Sequence, residues 1–125
     1  MEINPKLTKT VYSTNEEKTN KIWINGKPIY RKVITGTTST KDAAFTVSHG
    51  ISNYDIIMID GKSFIKSVGT NTYITPINCP PNTSSNYNNR PVRATIVDNN
   101  ISIYIGSYNG YNSYEYVIIL EYTKN

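Results

Sequence analysis

Short strand-forming segments separated by turn signals recur along most of this chain, and they restrict what it can fold into. The clearest are VRATIV at residues 92–97 and ISIYI at residues 101–105, which alternate apolar and polar side chains as half-buried strands do. Turn signals stand at residues 25–26 (NG), 60–61 (DG) and 98–100 (DNN). No segment has the i, i+3, i+4, i+7 apolar spacing of an amphipathic helix. Strands at intervals of about 8–12 residues therefore predict an all-β fold, an antiparallel β-sandwich or jelly roll.

The domain organisation follows from length and polarity. The chain has 125 residues, which suffice for one hydrophobic core and not for two. Residues 1–20 are polar and predict an extended N-terminal arm, whereas residues 21–125 hold the strand segments of a single sandwich domain. YDIIMI at residues 54–59 and YEYVIILEY at residues 114–122 are apolar on both faces, which favours an oligomer whose second subunit covers one face. The alternative is that edge strands leave some apolar surface exposed.

The segment KIWINGKPIYRK at residues 21–32 predicts a hairpin at the entrance to this domain. Asn25-Gly26 is a turn signal because both residues tolerate the positive φ that a tight turn needs, and Pro28 suits a strand start because it has no N–H to donate. We expect Trp23 and Tyr30 to pack in the core or at a subunit interface. A sugar platform is the alternative for Trp23. The Asp-Gly turn signal at residues 60–61 predicts a second hairpin.

Charge and targeting signals narrow the class of partner. The net charge is +4, and the 13 basic residues form no run, which predicts weak attraction to polyanions rather than a nucleic-acid site. The single cysteine, Cys79, allows no disulfide within the chain. No signal peptide or apolar stretch long enough for a membrane helix is present, so we expect no membrane insertion. If the protein is made in a cytoplasm and acts outside the cell, we expect it to leave by a route that needs no signal peptide, such as lysis.

Two segments have the composition of a sugar-binding surface: residues 86–90 (NYNNR), within the irregular stretch 78–91, and residues 108–114 (YNGYNSY). In such surfaces, aromatic rings cover the C–H patches of a pyranose while amides bond its hydroxyl groups. Arg90 would suit a carboxylate or phosphate through its two-pronged guanidinium. The alternative is that Asn and Gly only form turns and Tyr only covers the end of the sandwich. The candidate glycan-binding residues are Tyr87, Asn88, Asn89, Arg90, Tyr108, Asn109, Tyr111, Asn112 and Tyr114.

Catalytic and metal-binding patterns are weak. His49 is the only histidine and no G-x-S-x-G motif is present, so no Ser–His–Asp triad stands out. One His and one Cys make a zinc site within a chain implausible, although three copies of His49 on a threefold axis would be an alternative. No pair among Asp55, Asp60 and Asp98 stands out as an acid and base. We therefore expect no catalytic residue, no metal and no cofactor in a protein that is not an enzyme.

Three segments together carry a resemblance to a known family: residues 12–34 (YSTNEEKTNKIWINGKPIYRKVI), residues 47–61 (VSHGISNYDIIMIDG) and residues 101–124 (ISIYIGSYNGYNSYEYVIILEYTK). They resemble the C-terminal domain of phage tail fibre and receptor-binding proteins, where the first segment usually contains W-I-D-G-K-P-I/L-Y-R-K. Asn25 stands where that family more often has Asp. The matching family segment places His49 at a turn, so the resemblance implies a structural hydrogen-bonding role for His49. The resemblance covers residues 12–125, with residues 62–93 least constrained.

The resemblance implies a trimeric, β-rich distal domain of a virion fibre or baseplate protein. Such a domain would bind a bacterial cell-surface glycan and would lie at the tip of the tail. A purely structural trimerisation or capping domain is the alternative function. A glycan hydrolase is less favoured, because a glycosidase needs two carboxylates that face one cleft.

Overall fold

The computed structural model describes residues 12–40, 42–69, 72, 74–78, 92–106 and 113–125. Within these ranges the protein is all-β, without a helix, and every strand pair is antiparallel. This part of the fold prediction is confirmed. The strands are β1 (Glu17–Ile22), β2 (Pro28–Thr38), β3 (Ala43–Ser48), β4 (Tyr54–Ile59), β5 (Phe64–Val68), β6 (Ile74–Pro76), β7 (Val92–Val97), β8 (Asn100–Ile105) and β9 (Ser113–Lys124).

Two sheets face each other in a sandwich-like arrangement. The first sheet has the order β1-β2-β9-β5-β6, with β4 also paired to β9, and the second has the order β3-β8-β7. The long strand β9 is central, since β2 pairs with it on one side while β4 and β5 pair with it on the other. The C-terminal segment therefore organises the larger sheet.

The core lies between the two sheets and follows from the alternation of side chains along each strand. Burial of one large apolar side chain stabilises the fold by about 1.5–3 kcal/mol, so each strand turns its apolar face inward. Gly36 of β2 lies opposite Tyr116, and a Cβ there would fall inside the contact distance of the hydroxyl and Cζ of Tyr116. The buried core residues are Ile51, Ile65, Ile77, Val92, Ala94, Ile101, Ile103, Ile105, Tyr114, Tyr116, Ile118, Leu120 and Tyr122.

The hairpin predicted at residues 60–61 is wrong. β4 and β5 do not pair with each other, because they follow one another along the same side of β9. A turn at residues 60–63 separates the two strands. In this turn the Ser63 N–H donates to the Asp60 carbonyl at 3.0 Å. The gap in the ladder is filled at Ile119, whose N–H donates to Ser63 Oγ and whose carbonyl accepts from Asp60 N–H. The turn therefore joins two collinear strands.

The N-terminal hairpin forms, with one correction. β1 begins at Glu17, so the sheet starts inside the stretch predicted to be an arm, of which residues 1–11 lie outside the described residues. Of the two turn residues, only Gly26 has positive φ, at 85°. The Gly26 N–H donates to the Trp23 carbonyl and the Trp23 N–H donates to the Lys27 carbonyl. This bonding is that of a three-residue loop with a glycine bulge.

Candidate functional site

The first candidate segment is closed at its base. Tyr87, Asn88, Asn89 and Arg90 lie in the stretch 79–91, which is outside the described residues, but Asn78 and Val92 on either side of it are described. The Asn78 N–H donates to the Val92 carbonyl at 2.9 Å. The Asn78 side chain also bonds both backbone groups of Ala94, at 2.9 and 3.1 Å. The two ends of this segment are therefore held together on strand β7.

The second candidate segment starts beside the first. Tyr108, Asn109, Tyr111 and Asn112 also lie outside the described residues. The register of β7 and β8 pairs Val92 with Ile105, directly before Gly106 and the start of this segment. Four described residues border the two segments. Three of them lie together, since Asn78 bonds Val92 and Val92 pairs with the residue before Gly106.

The fourth flanking residue lies on the neighbouring sheet. Ser113 begins β9 and pairs with Val68, the last residue of β5. Next to it, Thr38 ends β2, and the chain crosses from there to β3, whose first residue Ala43 pairs with Ile105. We call this region, where β2, β5 and β8 end and β3, β7 and β9 begin, the loop end.

Trp23 lies away from the loop end. Its turn, residues 23–27, joins β1 to the start of β2, and Tyr30 near that start pairs with Tyr122 near the end of β9. The β7–β8 turn lies on the same side, since both Tyr54 and His49 contact the Asp98 carbonyl at 2.8 Å. We call this side the hairpin end.

Tyr114 is fully buried, so its ring exposes no face that could contact a glycan in this structure. The predicted glycan contact of Tyr114 is therefore wrong. It lies in the core on the same face of β9 as Tyr116 and Ile118. The alternation that places the even-numbered residues of β9 on one face was visible in the sequence. Extending it by two residues would have assigned Tyr114 to the core.

Trp23 and Tyr30 differ in their surroundings. Trp23 is half-buried in its turn, and its two neighbours are among the most exposed apolar residues described, Ile22 at 69% and Ile24 at 90%. Tyr30 stacks on Tyr122 with ring centroids 5.9 Å apart, and Lys124 Nζ lies 5.1 Å from the centroid of Tyr30. Contacts within the chain account for Tyr30, whereas a subunit interface stays a prediction for both aromatic residues.

The structural role predicted for His49 is confirmed. Its side chain is fully buried, and Nδ1 accepts from the Ile51 N–H at 3.0 Å. Nε2 lies 2.8 Å from the Asp98 carbonyl, which can only accept, so the geometry fixes a neutral ring with the proton on Nε2. Lys32 Nζ donates to the His49 carbonyl at 2.9 Å. The bond from Lys32, which lies on β2, ties the end of the second sheet to the first.

A carboxylate at the hairpin end fastens the N-terminal segment to β9. Glu16 accepts from the Tyr122 hydroxyl at 2.6 Å and pairs with Lys124 at 2.7 Å. Partial burial raises the pKa of Glu16, but hydrogen bonds from Lys124 and Tyr122, with the charges of Lys124 and Lys32, outweigh it and leave the pKa below its usual value. Burial and the bond to Glu16 raise the pKa of Tyr122 well above its usual value.

An arginine and a tyrosine on the outer face of the second sheet were missed in the sequence. Arg93 on β7 pairs with Tyr104 on β8, and the guanidinium carbon lies 5.7 Å from the ring centroid. Arg93 is exposed and Tyr104 is half-buried. The hairpin pattern in the sequence could have identified this pair, because a two-residue turn at residues 98–99 places residues 93 and 104 opposite each other.

The described residues contain no group of three or more His, Cys, Asp and Glu side chains arranged to hold a metal ion. No helix in the described part of the chain is long and apolar enough to cross a membrane. Comparisons with protein-family models, with curated proteins and with solved structures give no match for this chain.

Proposed function

We propose that this chain is a glycan-binding, receptor-recognition domain of a phage tail fibre or a related particle. In this proposal it is the distal, jelly-roll-like domain of a homotrimer at the tip of a virion, where it binds bacterial surface polysaccharide. It needs no catalytic residue and no cofactor.

The observation that carries the proposal is that described residues bordering both candidate segments meet at the loop end. Asn78 bonds Val92 across the base of the first segment, and Val92 pairs with Ile105, next to the residue that precedes the second. Binding residues are commonly carried by loops that a rigid β scaffold positions. The loops combine tyrosines, asparagines and one arginine, groups that together contact both the C–H patches and the hydroxyls of a sugar. Trimerisation would add avidity to weak single sites.

A structural trimerisation or capping domain is the second candidate, and the hairpin end favours it. Ile22, Trp23 and Ile24 place apolar surface at a turn that contributes little to the core. Exposed apolar patches of this kind occur at contacts between proteins. Contacts through this turn would assemble the fibre even if the loop end bound nothing.

Two multiple variants, one at each end, separate these functions. The loop variant combines Tyr87→Ala, Arg90→Ala, Tyr108→Ala and Tyr111→Ala. The hairpin variant combines Ile22→Ser and Ile24→Ser. Each is tested for binding to an array of bacterial polysaccharides and for its mass under native conditions.

We expect the loop variant to lose polysaccharide binding while keeping the native mass of the parent protein. We expect the hairpin variant to lower the oligomer mass and to weaken binding only through lost avidity. The glycan-binding proposal is overturned if the folded, oligomeric parent protein binds no polysaccharide, or if the loop variant binds as the parent does. Retained binding in the loop variant would favour the structural function.

A further inference from the structure

The outer face of the second sheet has an unusual composition for a sheet surface. The inward residues of β7 and β8 are core residues, so the alternate positions point outward. Most outward side chains are short, one is a large aromatic ring and none is acidic. The outward residues are Ala44, Thr46, Ser48, Arg93, Thr95, Val97, Asn100, Ser102 and Tyr104. We call these residues the Tyr104 face.

Arg93 is the one charged group on the Tyr104 face. No carboxylate among the described residues pairs with it. Its guanidinium lies beside the Tyr104 ring, and an arginine that contacts an aromatic ring through its flat face can keep its N–H edge for an anion. The charge of the Tyr104 face therefore complements an anionic ligand.

The chemistry of the other outward residues fits a saccharide. Tyr104 is the only aromatic residue on this face, and Ala44 on β3 lies opposite it on the side away from Arg93, leaving low relief there. Ser102, Thr95 and Thr46 occupy the next row and supply hydroxyl groups. The three strands span roughly 10 Å, which gives a shallow platform rather than a pocket.

Arg93 and Tyr104 lie close to the loop end. Arg93 directly follows Val92, the residue that holds both candidate segments, and Tyr104 lies two residues before Gly106. The pair therefore lies next to the described residues that border the candidate segments, within reach of a glycan bound at the loop end.

We propose that Arg93 and Tyr104 form a subsite for a saccharide that carries a carboxylate or phosphate group. The guanidinium would bond the anion through two N–H groups while the tyrosine ring covers a C–H face of the sugar. This inference rests on the proposed glycan-binding function and makes it more specific, since it names an anionic glycan.

The test uses an array that contains uronic-acid polysaccharides, glycerol-phosphate polymers and neutral polysaccharides. The proteins are the parent chain, Arg93→Ala, Arg93→Lys, Tyr104→Ala and Tyr104→Phe. Lys18→Ala is the charge-matched control, because Lys18 is an exposed cation on β1 of the other sheet. Thermal unfolding and native mass are measured for each.

We expect the parent chain to prefer a charged class, with uronic-acid and glycerol-phosphate probes distinguishing the carboxylate from the phosphate. Arg93→Ala should weaken that binding about tenfold, the value of one charge-assisted hydrogen bond. Arg93→Lys should recover part of it, because lysine supplies the charge without the paired N–H groups. Tyr104→Phe should bind nearly as the parent chain does, Tyr104→Ala should bind more weakly, and Lys18→Ala should not change the preference.

The outcomes separate the two proposals. Binding to neutral polysaccharides alone overturns the anionic subsite and leaves the proposed function standing. The same holds if Arg93→Ala behaves like Lys18→Ala, or if Tyr104→Ala dissociates the oligomer, since the face would then lie between subunits. A folded parent chain that binds no member of the array overturns the proposed function and the subsite together.

Discussion

The two sheets each carry an arginine beside a tyrosine, and the two pairs differ in almost every other respect. On the first sheet, the Arg31 guanidinium lies 4.6 Å from the Tyr12 ring centroid, and its side chain is only 6% exposed. It donates to Glu121 at 3.0 Å. On the second sheet, Arg93 lies on an open face, with no carboxylate partner among the described residues.

The difference teaches that residue type alone does not assign a role to such a pair. Arg31 is withdrawn from water, so its charge must be matched by Glu121, and the pair is part of the structure. Arg93 is exposed and has no carboxylate partner among the described residues, so we expect its charge to be available to a ligand. Changes on the first sheet should therefore act on stability, whereas changes on the second should act on binding.

Arg31→Ala should produce the largest loss of stability. It leaves the Glu121 carboxylate, which is 15% exposed, with Lys21 at 3.7 Å as its one remaining ion-pair partner among the described residues. Removal of one partner of a buried ion pair costs about 3–5 kcal/mol, and we expect the lower end because Lys21 remains. Urea unfolding followed by circular dichroism measures the change. A cost below about 1 kcal/mol would show that water reaches the pair and would break the contrast with Arg93.

The matched controls for that prediction lie on both sheets. Arg93→Ala removes the same charge from the open face and should change the unfolding free energy by less than about 0.5 kcal/mol. Replacing both partners, with Arg31→Met and Glu121→Leu, should restore much of the loss, because no buried charge is then left unmatched.

Gly36→Ala should have the next largest effect. The added Cβ meets the hydroxyl and Cζ of Tyr116, a ring that is 7% exposed and packs against Phe45. Overpacking of this kind costs about 1–3 kcal/mol. The control is Gly61→Ala, where the added Cβ meets nothing within 4 Å, and we expect a change below about 0.5 kcal/mol. Equal unfolding midpoints for the two variants would mean that Tyr116 moves aside without cost.

Glu16→Gln should have a smaller effect that depends on pH. Because the folded state lowers the pKa of Glu16, the carboxylate adds stability above its unfolded value of 4.5 and loses it as pH falls through the folded pKa. The side chain is 36% exposed, so screening limits the gain to less than about 1 kcal/mol. The stability difference between the parent chain and the variant should therefore shrink in acid.

Lys124→Ala provides the control for that pH dependence. Lys124 supplies both a hydrogen bond and a charge to Glu16, so Glu16→Gln should have a smaller, flatter effect in the Lys124→Ala background. Urea unfolding at a series of pH values measures the effect of Glu16→Gln in the parent chain and in the Lys124→Ala background. A difference between the parent chain and Glu16→Gln that is the same at acid and neutral pH would contradict the assignment.

Local signals predicted those parts of the fold that depend on neighbouring residues. The alternation of ISIYI and VRATIV, with the turn signal between them, indicated the β7–β8 hairpin, and that hairpin forms with Val97 opposite Asn100. The same register contains the Arg93–Tyr104 pair. The amino-acid sequence is therefore sufficient to predict that these two residues lie opposite each other.

Long-range pairing could not be predicted in this way. Arg31 and Glu121 are 90 residues apart, and their register depends on which strand lies beside β9. The Asp-Gly signal at residues 60–61 correctly indicated a turn, but β9 is long enough to pair with β4 and β5 in succession, so no hairpin forms. For the predicted glycan-binding residues, the sequence indicated composition, whereas the closure of the first segment by Asn78 required the structure.

The smallest expected effect is the coupling between Arg93 and Tyr104, and it tests the comparison most directly. A double-mutant cycle with Arg93→Ala and Tyr104→Ala should give a coupling in unfolding free energy below about 0.5 kcal/mol, because water competes for the cation. The corresponding cycle with Arg31→Ala and Tyr12→Ala should give about 1 kcal/mol or more, since Arg31 is shielded from water. Equal couplings would remove the distinction between the pairs. A weak coupling at Arg93 means that the contact with Tyr104 adds little to stability, so a ligand that uses the guanidinium takes little from the fold.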